Sequence, residues 1–228
     1  MAEGKVVLER LFASALYEPL SVLTTAARLS ALDLSNVTAP VYVVPQAVMD
    51  AVAGFAIHRG YLALGRARRA LTLAEVVPAG RARLLVLCGV ANTDNMGGLM
   101  RNAAAFGVDA AVLDATCCDP LYRKAIRVSV GGVFSVPCVR VGNVIEALRA
   151  LGVTPYALSP TGATRLDDVR PAERSAFLFG AEGPGLPPDL MAACQSVRID
   201  MHGGFDSLNV ATTSGIVLHR MRAASGHG

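Results

Sequence analysis

From residue 83 onward the chain repeats one unit: a short apolar run, a polar or glycine-bearing loop, then a stretch with helical spacing. Residues 84–88, 110–113, 134–136, 155–158, 177–179 and 197–199 read as apolar strands, and 97–106, 143–151 and 208–221 as helices. Short strands without a polar face, interleaved with helices, predict a parallel sheet covered on both sides, hence an α/β fold.

The first 70 residues read as a separate, smaller α/β unit. Val6, Val7, Leu8, Leu11, Phe12 and Leu16 fall mostly at helical spacing. Strands are expected at 21–25, 41–44 (buried) and 61–64, with helices at 26–34 and at 46–52, the latter opened by Pro45. Residues 65–82 are rich in Arg and Ala and carry Pro78 and Gly80. The expected organisation is a domain over 1–70, a linker over 71–82 and a second domain over 83–228.

Composition removes several classes. With 53% hydrophobic and 17% charged residues, disorder is not expected. No apolar run reaches the roughly 18–20 residues of a membrane span. The first ten residues carry charges within a helical pattern, unlike a secretory leader. Five cysteines without a CxxC pair, and four scattered histidines, fit reduced thiols in a cytoplasmic protein better than a disulfide framework or a metal site.

Of the 21 basic residues, only Lys5 and Lys124 are lysines. Arg59, Arg66, Arg68, Arg69, Arg81 and Arg83 form one group, and Arg123, Lys124 and Arg127 another. Arginine forks bind phosphates bidentately and stack on bases, so Arg59, Arg66, Arg68, Arg123 and Arg127 are candidate RNA contacts. Composition alone serves a solvated surface equally well.

Three loops carry the remaining chemistry. The first, residues 91–98, follows the strand at 84–88. It offers Asn92, Asn95 and glycines ahead of a helix bearing Arg101, a place that suits an anion. The second follows the strand at 177–179 with Gly180-Ala181-Glu182-Gly183-Pro184-Gly185, where glycines let a flat ligand approach the main chain. It is not the dinucleotide fingerprint, which disfavours an oxidoreductase. The third follows the strand at 197–199 and runs to Ser207-Leu208-Asn209. Ser207 is the expected N-cap of the last helix, and Asn209 has no propensity reason to stand in its first turn. Each loop alone is also an ordinary turn. Three of them, each after an apolar strand of one domain, are expected to meet along one sheet edge.

Taken in order, these segments resemble the three signature motifs of the SpoU ribose methyltransferases of the SPOUT superfamily. The first is Asn95-Met96-Gly97-Gly98-Leu99-Met100-Arg101-Asn102-Ala103, the second residues 180–186, and the third Ser207-Leu208-Asn209-Val210 after Ile199-Asp200-Met201. Residues 126–134 resemble the family's linking segment, and the match spans about 83–222. Residues 3–65 resemble the L30e-like substrate-binding domain that many members carry, usually with further residues ahead of it. Thr93 stands where Pro is usual, Asn102 where Thr is usual and Asp200 where Pro is usual, and Thr212-Thr213 replaces smaller residues.

The resemblance implies a parallel α/β sheet with a C-terminal trefoil knot, a fold almost absent elsewhere. It implies S-adenosyl-L-methionine held largely by main chain at Leu158, Ser159, Gly180, Ile199 and Leu208, and no metal. It also implies a homodimer in which Arg101 acts across the interface. Arg101 would engage phosphate and ribose hydroxyl, Asn95 would shape its loop, and Glu182 would orient Arg101 or the substrate. Ser207 and Asn209 would anchor the knot loops. The implied activity is 2'-O-methylation of RNA, ribosomal RNA before transfer RNA. The rival reading is an RNA-binding protein without turnover.

Overall fold

A computed structural model describes residues 1–57, 60–203 and 207–222. The chain builds β1 (Ala2–Glu3), α1 (Lys5–Phe12), β2 (Tyr17–Thr24), α2 (Ala26–Leu29), β3 (Val41–Val43), α3 (Gln46–Ala53) and β4 (Tyr61–Ala67). These strands form a four-stranded sheet ordered β1-β4-β2-β3. Helix α3 starts after Pro45, whose ring presets the required φ, and stops at Gly54, which takes the left-handed conformation at φ 83°. The segment 41–43 is an edge strand rather than a buried one: Tyr42 and Val43 stay 54% and 46% exposed, because β3 pairs with β2 alone. The helix expected to reach residue 34 ends at Leu29. Asp33 then takes the Ser35 amide and hydroxyl in a local turn that competes with helix.

Then follow α4 (Leu73–Val76), β5 (Ala82–Leu87), α5 (Thr93–Ala105), β6 (Ala110–Leu113), α6 (Arg123–Val128), β7 (Cys138–Arg140), α7 (Val144–Ala150), β8 (Thr154–Leu158), β9 (Thr164–Arg165), β10 (Arg174–Phe179), α8 (Pro188–Ala192), β11 (Gln195–Arg198) and α9 (Val210–Arg222). The seven strands β5–β11 form one parallel sheet in the order β7-β6-β5-β10-β8-β11-β9. The central strands β5, β6 and β10 are almost wholly buried, as their unbroken apolar sequence requires. Leu85, Leu87 and Phe177 face one core and Leu84, Val86 and Leu178 the other. Leu73 and Val77 lie in the second core.

The strand expected at 134–136 is instead a 3₁₀ turn over Gly132–Phe134, and pairing resumes at Cys138. Val130 and Gly131 both adopt positive φ, which breaks the extended run, and Pro137 has no amide to donate to a ladder. That turn receives the small sheet's α1. The Arg10 guanidinium donates to the Val130 carbonyl at 2.7 Å, the Ser14 hydroxyl to that of Phe134 at 2.6 Å, and Tyr17 meets Phe134 edge-on. Among the described residues, no helix is long and apolar enough to cross a membrane.

Candidate active site

Helix α5 starts where its sequence supplies a cap. The Asn92 side-chain oxygen accepts the amides of Asp94 and Asn95. The next turn carries Gly97 and Gly98 because neighbours leave no room for a side chain. A Cβ at Gly97 would lie 2.6 Å from the Val128 Cβ, and one at Gly98 would lie 2.6 Å from the Ala211 Cβ. Close contact between α5 and α9 follows. Asn102 seals it by donating to the Ala211 carbonyl at 2.6 Å and the Ser214 hydroxyl at 2.9 Å.

The N-cap of α9 is Asn209, not Ser207. Its Oδ1 accepts the amides of Ala211 and Thr212 at 2.9 and 3.3 Å. Backbone amides only donate, so this fixes which end of the side chain is oxygen. The Nδ2 group then points back and donates to Asn95 Oδ1 at 2.9 Å and Glu182 Oε1 at 3.1 Å. One residue thus joins all three loops. Asn95 is buried and Glu182 exposed.

Beside this junction is a cavity of about 570 Å³ at the carboxyl ends of β8, β10 and β11. Leu158, Ser159, Gly180, Ile199 and Leu208 all line it, with Glu182, Ser207 and Asn209. Gly180 allows the second loop to fold: a Cβ there would run into the main chain of Gly185, which bridges back to Ala181. Gly183 and Gly185 take positive φ, 86° and 71°. On the other side, the Ser159 amide donates to the Val197 carbonyl at 2.9 Å. Asp200, between the lining residues Ile199 and Met201, holds Arg165 at 2.8 Å and Arg198 at 2.9 Å, so this departure from the family pattern is tied down by two arginines. Phe179, Val197, Met201 and Thr213 also line the cavity and were not anticipated. Thr213 had a signal, since it stands one helical turn after Asn209.

Arg101 lies apart. It is exposed on α5, does not line the cavity, and forms no hydrogen bond or ion pair with another described residue, Glu182 included. Of the arginines expected on RNA, Arg127 is exposed without a described partner, while Arg66 and Arg68 share Glu18 at 2.6 and 3.1 Å. Arg123 is turned inward. It pairs with the buried Glu3 at 3.2 Å, donates to the Ala53 carbonyl and stacks over Phe55 at 4.6 Å. Arg59 lies outside the described residues. No group of three or more His, Cys, Asp or Glu gathers as metal ligands would among the described residues, and the five cysteines are free.

Comparisons with known proteins bear on this arrangement. The SpoU rRNA Methylase family profile matches residues 82–219. An uncharacterized tRNA/rRNA methyltransferase of Mycobacterium bovis is 41% identical over 237 residues, covering 100% of this chain and 81% of that protein. The 23S rRNA (guanosine-2'-O-)-methyltransferase RlmB of Xanthomonas campestris pv. campestris is 32% identical over 179 residues, 75% of this chain and 72% of that one. Among solved structures, the fold is similar to an AdoMet-bound rRNA methyltransferase from Sinorhizobium meliloti. The TM-score is 0.82 at 23% identity, over 97% of this chain and 85% of that one.

Proposed function

This chain belongs to the SpoU rRNA Methylase family, and on that premise we propose that it transfers a methyl group from S-adenosyl-L-methionine to a ribose 2'-hydroxyl of RNA, ribosomal RNA first. The observation that carries the reading is the junction at Asn209, whose one amide group ties the Asn95 and Glu182 loops together beside a cavity at the sheet's carboxyl edge.

The cavity suits the cofactor. Its volume is within the range of small-molecule sites. Gly180 keeps the main chain bare of side chain where a flat ligand would lie, and Leu158, Ser159, Ile199 and Leu208 line the rest. When bound, S-adenosyl-L-methionine supplies an activated methyl on a sulfonium. The chain's own residues supply the remainder.

A ribose hydroxyl is a weak nucleophile that must shed its proton as it attacks. The Arg101 guanidinium, beside phosphate and hydroxyl, lowers the cost of the developing oxyanion and positions the attack. Acting as a base would demand an unusual loss of its own proton. Asn95 holds its loop to Asn209, Glu182 orients substrate from the cavity rim, and Ser207 helps close the cavity.

Arg101 is exposed, without a partner among the described residues and outside its own chain's cavity, which supports a homodimer in which it serves the cavity of a second copy. We read residues 1–70 as an L30e-like RNA-binding domain, 71–82 as the linker and 83–228 as the catalytic domain with a trefoil knot. The separate four-stranded sheet supports the first assignment. Insertion of β11 between β8 and β9, with α9 returning onto α5, supports the last. Arg66, Arg68 and Arg127 are the RNA contacts this reading favours; Arg59 is retained from sequence, and Arg123 joins the two sheets. The site of work is the cytoplasm.

Transfer of tritiated methyl into total RNA, with size separation and mapping of the labelled nucleotide, tests the reading. Label on a ribose of ribosomal RNA is expected. Label on a base, or none, would refute it.

A further inference from the structure

A second cavity, of about 290 Å³, has no role in the chemistry above. It lies in the seam between the two sheets. Tyr17 begins β2, Arg69 follows β4, Leu113 ends β6, Asp119 and Leu121 belong to the next loop, and Arg140 ends β7. Its walls mix apolar side chains with the polar groups of Tyr17, Arg69, Asp119 and Arg140.

Arg140 is held by its edge. Nη1 donates to the carbonyls of Asp114 and Cys117 and Nη2 to that of Cys118. No carboxylate forms an ion pair with it among the described residues, so a guanidinium fixed by three carbonyls borders the cavity. Arginine in this state stacks by its flat face on a base. The Tyr17 hydroxyl has no described partner. Burial chiefly, then Cys138 and Asp119, raises its pKa well above the ordinary value, so it remains a hydrogen-bond donor. Asp119 accepts the Leu121 amide with one carboxylate oxygen and keeps the other without a described partner. Arg69, the second arginine of the lining, is paired with Glu75 at 2.7 Å, which leaves Arg140 as the stacking cation. Apolar side chains, that cation, the Tyr17 donor and the Asp119 acceptor match a nucleobase, which has a π-face and an edge bearing both polarities.

Resting on the RNA methyltransferase reading, we propose that this seam cavity is a subsite for one unpaired nucleobase of the RNA, with its amino group on Asp119 and a carbonyl on Tyr17. The base is not that of the methylated nucleotide. Strand β7 stands three places from β10 in the sheet, which at ~4.8 Å per strand is roughly 14 Å. One RNA segment therefore spans both sites with different nucleotides, and the small domain reads a base as well as phosphates.

The test uses the full chain and two fluorescein-labelled RNA dodecamers, one with all four bases and one abasic throughout, followed by anisotropy. Ala70→Trp fills the cavity from an exposed position on its wall. It is expected to weaken binding of the base-bearing RNA at least fivefold and leave the abasic RNA unchanged. Tyr17→Phe keeps the ring and removes the donor, with about a threefold loss expected. Cofactor affinity by calorimetry should stay constant in both. Parental affinity for the base-bearing RNA in both variants, or equal losses on the two RNAs, would overturn the subsite. Guanosine monophosphate competing as well as the dodecamer would assign the cavity to a free nucleotide and overturn it too. Binding is measured without turnover, so a chain that transfers no methyl would sink the functional reading while leaving this test standing.

Discussion

The Asn209 side-chain amide donates to Asn95 Oδ1 at 2.9 Å, fastening the start of α9 to the first turn of α5 across 114 positions of sequence. The same side chain caps α9 through its oxygen. Its two ends therefore do different work, and substitution can separate them.

Asn209→Asp keeps the capping oxygen, loses both donated bonds and sets a second carboxylate against Glu182. It should still fold, at a cost of about 1–3 kcal/mol because the buried Asn95 oxygen is left without its donor, and should bind cofactor and turn over poorly. Asn209→Ala loses the cap as well, costing about 1 kcal/mol more of stability. Thermal melts with calorimetric cofactor titration check this. An Asp variant with parental cofactor affinity would dissociate the junction from the cavity.

The exposed Arg101 side chain forms no hydrogen bond or ion pair with another described residue. Arg101→Ala should therefore leave the melting temperature and cofactor affinity alone. Methyl transfer should fall by roughly 10²–10³, as for loss of one donor to a developing oxyanion. Mixing this variant with an Asn209→Asp chain offers a dimer test. If arginine and cavity come from different copies, mixed dimers keep one intact site and regain activity that neither parent has.

Gly98 leaves no room for a methyl group facing Ala211. Gly98→Ala should force α5 and α9 apart, at about 1–3 kcal/mol for overpacking. Pairing it with Ala211→Gly should recover most of the loss. A single variant as stable as the parent would show that the helices yield freely.

The two arginines of the α6 region part company in the structure. Arg123→Ala strands the buried Glu3 carboxylate and should cost about 2 kcal/mol. Arg127→Ala should cost no stability but weaken RNA binding, lowering the salt slope by roughly 0.7–0.9. Denaturant titration and salt-dependent anisotropy separate these outcomes.

Sequence carried the sheet well because β5, β6 and β10 are apolar on both faces, and such runs have little alternative to a central strand. The three loops were legible for a related reason: polar and glycine-rich segments directly after such strands fall on one sheet edge. Long-range pairing was what sequence lacked. Nothing local makes Asn209 rather than Ser207 the cap, because the choice rests on Asn95 and Glu182 waiting for its amide. Arg123 looked like a surface cation because Glu3, its partner, is 120 positions away. The strand misplaced onto 134–136 has the apolar residues of a strand. What redirects it is the backbone turn at Val130 and Gly131, taken where α1 of the other sheet docks.

The cysteines give a prediction with a pH sign. Burial raises all five thiol pKa values, to about 12 for Cys88, Cys117 and Cys138 and about 11 for Cys194, with Cys118 raised as well. The thiolate is the reactive form, so the folded chain should resist iodoacetamide at pH 8, while the denatured chain takes up five equivalents. Folding favours the neutral thiols. Their contribution to stability is therefore intact below the ordinary thiol pKa of 9.0 and fades as pH rises from there toward about 12. Mass spectrometry after timed alkylation, with melts from pH 7 to 11, measures both effects. A native thiol alkylated as fast as the denatured chain would show that its surroundings open readily to solvent.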